Sequence, residues 1–400
     1  MLMVCHCQKA LALTSIALED HDFIPPFIPG VFHGTIKHEN VEITHEDFIN
    51  KTDEQHHLPN KTSPLIVISG INMVDHLPFE YMHLVCLGVM RKILYSLMKS
   101  SNYKVPLSAT ILDQLSVRIV NLRPYIPSEF GRKPRSLQEL LRWKATEFRQ
   151  ILLYTISLVF PKFLSCDAYN HFISLHYAIR ILSSRLYACQ QLQYAKSLHK
   201  YFVSNFPLVY SLTSLSYNVH GLLHLVDDVE LHGPLDKFST FKFENKLQQL
   251  KKLIWKHDKP LQQIARRIFE KEMAMKVKEV CNYPVLKKAS CINSALPLGM
   301  ENPIYNSIEF KHFKITQKRQ SNCVVMENGD ICVVQLIANK FGKPHFLPGS
   351  SQVIGIHCAK DFSQAQLLPV SEIKNKALMI PLDPHNGDES FYVAEMLHSS

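Results

Sequence analysis

The stretch Leu77-Pro-Phe-Glu-Tyr-Met-His-Leu-Val-Cys-Leu-Gly-Val-Met-Arg-Lys-Ile-Leu94 carries the first clear change of period in the chain. Leu77 to His83 reads as the end of an extended segment entering a helix. From there Leu84, Leu87, Val89, Met90, Ile93, Leu94 and Leu97 recur at three- and four-residue spacings. That pattern predicts an amphipathic helix, with Arg91, Lys92 and Lys99 toward the end where cations suit the dipole.

Working outward, Pro25-Pro-Phe-Ile-Pro-Gly30 breaks any helix, and residues 31–63 are rich in His, Glu, Asp and Asn without period, so residues 1–62 read as an irregular acidic segment. Ser63 to Gly70 is a short apolar run bounded by Pro and Gly. Downstream, helices are expected over 108–121, 136–158, 167–190, 191–205, 243–256 and 260–279, bounded by prolines. After Tyr283-Pro284 the texture changes. Cys323–Met326, Ile331–Ile337, Val353–Ile356 and Phe391–Ala394 are short β-prone runs separated by turn residues, so 305–400 reads as a small β-rich domain.

The composition is that of an ordinary globular chain: 400 residues, 46% hydrophobic and 20% charged, with room for two or three domains. No apolar run approaches the roughly 20 residues of a membrane span, so no membrane partner is expected. The amino terminus lacks the basic leader of a secretory signal, and ten scattered cysteines fit a reducing compartment better than a disulfide framework.

The net charge of +9 is unevenly placed. Residues 1–80 carry 4 bases and 11 acids, whereas 91–150 carry 12 and 4, and 244–288 carry 12 and 5. Arg132, Lys133 and Arg135 in the first basic segment, and Lys251 and Lys252 in the second, are candidate phosphate contacts for nonspecific DNA binding. The competing reading is the solvated faces of amphipathic helices.

Several short motifs could hold metal. Glu80-x-x-His83 sits at the strand-to-helix junction, and Glu244 opens a helix after Phe241-Lys-Phe. A helix-capping role explains each equally well. His220-x-x-x-His224 with Asp227 and Asp228 places two imidazoles on one helix face but lacks the intervening glutamate of a metalloprotease, and reads as structural. Cys5-x-Cys7 with His6, and His56-His57, have no second half at zinc-finger spacing. No phosphate-binding glycine loop, dinucleotide fingerprint or nucleophile elbow occurs.

Taken together, Leu77–Leu94, Pro127-Ser-Glu-Phe-Gly-Arg-Lys-Pro-Arg135, Trp143-Lys-Ala-Thr-Glu-Phe-Arg149, Leu152-Leu-Tyr154, His220–Val229, Gly233-Pro-Leu235 and Phe241–Lys251 resemble the transposase core of CACTA (En/Spm-type) DNA transposons. The resemblance covers about 200 residues and extends to the β-rich tail. It implies an α+β, predominantly α, fold: an incomplete RNase H-like core over 63–285, interrupted by a helical insertion at about 100–215, followed by the β-rich 305–400. It also implies two Mg²⁺ or Mn²⁺ ions held by acids that activate a nucleophile for phosphoryl transfer, should the enzyme be active.

In that pattern Glu80 stands at the second acid, with His83 completing its motif, and Glu244 at the third. An aspartate is expected where Glu80 stands. The first acid belongs upstream of residue 60, and neither Asp20 nor Asp22 can be assigned to it. The expectation is therefore a truncated or domesticated, catalytically impaired, nuclear (alternatively cytoplasmic) derivative that retains nonspecific DNA binding, its protein partners unknown. The alternatives are an active metal-dependent transposase or nuclease, and a helical protein-interaction scaffold without nucleic-acid activity.

Overall fold

The structure is a computed structural model that describes residues 68–72, 75–98, 107–211, 215–274, 283–291, 302–337, 342–347, 349–353, 355–360, 370–382 and 390–397. The fold is mixed α+β, with helix predominating and the strands near the carboxyl end. Two compact units divide it, each discontinuous in sequence: residues 1–106 with 170–276, and 107–169 with 277–400. Residues 107–169, part of the expected helical insertion, thus group with the β-rich carboxyl part.

In the first unit the helix read from Leu84 to Leu97 is present but begins wide. Met82–Met90 forms π-type turns, which pass into the regular helix α1 (Arg91–Met98). Leu84, Val85, Val89, Met90, Ile93, Leu94 and Leu97 are all buried, each contributing about 1.5–3 kcal/mol relative to exposure. Two glycines permit the close packing behind them. A Cβ on Gly88 would lie 2.6 Å from Asn218 Nδ2, and one on Gly221 would lie 2.9 Å from Leu84 Cδ1. Any larger residue at either site makes its neighbours shift, Asn218 and the His83 carbonyl beside Gly88, and Leu84 and Phe79 beside Gly221.

The long helices α2 (Cys166–Ser183) and α3 (Arg185–Val209) follow. The break between them falls at Ser184 rather than at 190, because Ser184 leaves the helical region (φ −102°, ψ 127°) and its hydroxyl accepts from the Tyr187 amide. The sequence boundary at 190/191 instead marks a kink inside α3 at Gln191 (φ −130°, ψ 24°). The unit continues through α4 (Leu225–His232), α5 (Phe241–Lys251) and α6 (Pro260–Ala274). Among the described residues no strand precedes Val285.

In the second unit, the helix expected over 136–158 is interrupted. A 3₁₀ turn at Leu137–Arg142 stops where Trp143 and Lys144 become extended, and Ala145–Gln150 restarts with the Glu147 carboxylate accepting the Lys144 amide at 2.8 Å.

The strands are β1 (Val285–Ser290), β2 (Ile304–Glu309), β3 (Lys314–Thr316), β4 (Cys323–Met326), β5 (Ile331–Ile337), β6 (Gly342–Leu347), β7 (Gly349–Val353), β8 (Ile356–Lys360), β9 (Ile373–Pro381) and β10 (Ser390–Glu395). They form an antiparallel sheet ordered β1-β2-β3 and a second ordered β6-β5-β4-β9-β10-β8-β7. The run expected as one strand at Val353–Ile356 is a turn: β7 ends and β8 begins there, around Gly355 at φ +68°.

Alternation along β4 sends Val324 and Met326 into a core with Ile308 and Ile315 of the small sheet. Cys323 and Val325 face the opposite cluster with Met379 and Val393. Both faces of β4 are therefore covered, which is why it reads as an unbroken apolar run. Among the described residues no helix is long and apolar enough to cross a membrane.

Candidate functional site

Glu80 is fully buried at the mouth of the wide helix. Its Oε1 accepts the backbone amides of Met82 and Thr240, each at 2.8 Å, and the Ser239 hydroxyl at 3.4 Å. Its Oε2 accepts the His83 amide and His83 Nδ1, both at 2.7 Å. An ionised carboxylate only accepts, so the His83 proton resides on Nδ1 in this pair. Burial would raise the Glu80 pKa, but the bonds from His83, Thr240 and Met82 outweigh it and hold the carboxyl below its ordinary value.

The segments around residues 80 and 240 thus touch through this carboxylate. Thr240 is the residue from which α5 departs, and its carbonyl accepts the Glu244 amide at 2.8 Å. Glu244 itself is exposed.

A divalent-cation pair requires carboxylate oxygens with uncommitted lone pairs. Each oxygen of Glu80 already serves at least two protein donors, so as arranged its donor set does not fit a metal ligand. The remaining histidine motif is likewise internally engaged. His220 and His224 pack ring against ring at 5.3 Å, Phe79 stacks on His224, Asp228 accepts the Phe79 amide at 2.7 Å, and Asp227 pairs with Lys196. Asp20, Asp22, the Cys5/Cys7 pair with His6, and His56-His57 lie outside the described residues.

The basic candidates separate. Arg132, Lys133 and Arg135 belong to one unit, Lys251 and Lys252 to the other. Arg135 grips Glu147 with two parallel bonds (Nε to Oε1 2.6 Å, Nη2 to Oε2 2.8 Å), and also reaches Glu139 and the Arg142 carbonyl. Lys133 Nζ donates to the carbonyls of Ile126 and Pro127. Arg132, Lys251 and Lys252 are exposed.

Sequence reasoning passed over a fully buried lysine. Lys376 Nζ, on β9, meets Glu129 Oε1 at 2.7 Å and Oε2 at 2.8 Å, with the Lys314 carbonyl at 2.8 Å and the Ser321 hydroxyl at 3.0 Å. Glu129 also accepts the Lys314 amide. The available signal was Lys376 standing just before the apolar run Ala377–Ile380 of a strand. Trp255 was also passed over. It is exposed between Lys252 and Lys256, outside any apolar period.

A family model described as a domain of unknown function, DUF8592, matches residues 289–396, and that portion of the chain is similar to it. No curated protein and no solved structure matches the chain.

Proposed function

We propose that this is a transposon-derived protein of RNase H-like, DDE-type ancestry in which phosphoryl transfer is impaired and nonspecific DNA binding persists. The observation that carries this reading is the Glu80 carboxylate. It joins the two sequence blocks that would flank a transposase centre, yet it is spent on binding amides and an imidazole of its own chain. An acid in such use stabilises a fold rather than a cation pair. The lack of a strand among the described residues of that unit also favours impairment, since the ancestral core holds its acids on a sheet.

DNA contact falls to the cations that the protein does not consume, Arg132, Lys251 and Lys252, rather than to Arg135 and Lys133. Retention on duplex DNA across a salt series tests the binding half. Affinity should fall steeply as salt rises from about 50 mM, and failure to bind duplex at that concentration rejects it. Nicking assays with Mg²⁺ and Mn²⁺ test the other half. Cleavage that Glu244→Gln abolishes would establish an active enzyme instead.

A further inference from the structure

No described side chain from Phe241 to Met273 is buried, and this segment carries nine Lys or Arg against four Asp or Glu. Its turn is nevertheless built. Gln263, in the first turn of α6, accepts the amides of Trp255 and Lys256 at 3.0 and 3.2 Å and donates to the carbonyls of Lys256 and Asp258. One side chain thereby fixes four backbone groups of the turn, and Lys259, at φ +47°, reverses the chain into Pro260.

Held by this clasp, Trp255 is 73% exposed, whereas the other tryptophan of the chain, Trp143, is buried. The Arg267 guanidinium lies over one face of the indole, 3.4 Å from its centroid, and at that exposure the opposite face is open to solvent. Lys251, Lys252, Lys256 and Lys259 flank Trp255 in sequence within nine positions, against the single acid Asp258.

An open aromatic face backed by a cation, on a turn dense in lysines, suits an unpaired base and its flanking phosphates. A duplex keeps its base faces stacked internally and offers this turn only phosphate. We infer that the turn binds single-stranded nucleic acid, Trp255 stacking a base on its free face and the lysines taking adjoining phosphates. An anionic bilayer fits the lysines, but the indole could enter its apolar layer only by dragging in the guanidinium stacked upon it, at a large desolvation cost. The inference deepens the proposed DNA binding and rests on it for the contacts of Lys251 and Lys252, but not for strand preference.

The test measures fluorescence anisotropy of labelled oligo(dT), a labelled duplex and anionic phosphatidylserine vesicles with the full chain. The variants are Trp255→Ala and Trp255→Phe, with circular dichroism confirming that each keeps its helix content. The expected result is quenching of Trp255 emission by oligo(dT) and about tenfold weaker oligo(dT) binding in Trp255→Ala. Trp255→Phe should keep most of the affinity, and duplex affinity should stay unchanged in both variants. Duplex binding with oligo(dT) affinity insensitive to Trp255 overturns this inference and leaves the duplex reading standing. Binding to neither nucleic acid overturns both, as does vesicle binding without oligonucleotide binding.

Discussion

The backbone amide of Thr240 donates to Oε1 of Glu80 at 2.8 Å, across 160 positions of sequence. The same carboxylate satisfies amides at the start of the wide helix, so one buried side chain ties together the beginnings of two helical segments. Truncation would strand four N–H donors, two of them buried. Glu80→Ala should therefore cost about 3–5 kcal/mol of stability. Glu80→Gln, which retains an acceptor but turns an NH₂ toward the His83 donors, should cost about 1–3 kcal/mol. Carboxylates crowded together to await cations behave oppositely, because neutralising one relieves repulsion. Thermal melts of both variants, with and without Mg²⁺, decide the matter. A higher Tm for Glu80→Gln than for the parent would reject the clasp.

The pair of Lys376 and Glu129 gives a second prediction. The ammonium is buried among four acceptors, yet burial outweighs the bond to Glu129 and holds its pKa below the ordinary lysine value. Lys376→Ala leaves a carboxylate facing a void and should cost about 3–5 kcal/mol, as should Glu129→Ala, which leaves the ammonium unmatched. Combined as Lys376→Ala with Glu129→Ala, the loss should be clearly smaller than the sum of the single losses. Urea denaturation of the four proteins closes this cycle. Additive losses would show that the two groups act independently.

The contrast between Glu80 and Lys376 explains what could be read from residue order alone. Period exposed the helix ending near Leu97 and the strand β5, because burial of one face or of both leaves its mark along consecutive positions. The resemblance implied that Glu80 and Glu244 share one centre, but letters cannot say whether a carboxylate points at donors or at an empty cavity. Lys376 was illegible because a charge beside an apolar run reads as a strand end unless its distant partner, Glu129, is known. The break at Trp143 was likewise hidden, since Glu147 caps the restarted helix through a side chain that suits an uninterrupted helix equally well. The division of 107–169 from its neighbours depends on contacts far apart in the chain, such as Tyr154 Oη accepting the Leu397 amide.

Arg135 and Arg132 should part company when substituted. Arg135 serves Glu147, a buried carboxylate, in a planar two-bond geometry that lysine cannot copy. Arg135→Lys should lower stability by about 1–2 kcal/mol while leaving the salt dependence of duplex binding intact. Arg132→Ala, and Lys251→Ala with Lys252→Ala, should leave the Tm near that of the parent and flatten the slope of log affinity against log salt by about one per phosphate contact removed. Titrations at several salt concentrations, paired with thermal melts, separate the two classes. A flattened slope for Arg135→Lys at unchanged Tm would reverse the assignment.

His171, on α2, makes the stability of the fold depend on pH. Burial pushes its imidazole down to about 4, against which the 2.8 Å bond between its Nε2 and the Phe202 carbonyl only partly compensates. The Phe202 ring stacks at 4.2 Å and the Phe206 ring packs edge-on at 5.8 Å, so a proton there has little to solvate it. The folded chain therefore binds this proton less readily than the unfolded chain, whose histidine titrates near 6.5. Stability from this group is whole above pH 6.5, declines as pH falls toward about 4, and falls no further below that. The loss across the window is about 3 kcal/mol, and His199, fully buried on α3 and also pushed down to about 4, should add to it. Glu80, held below its ordinary value, loses its contribution only in the more acidic range. His171→Phe keeps an aromatic ring among Phe202, Phe206 and Tyr210 but has nothing to titrate. Urea midpoints between pH 7 and 4 should consequently slope less for His171→Phe than for the parent, and parallel slopes would mean that His171 is not the group that titrates.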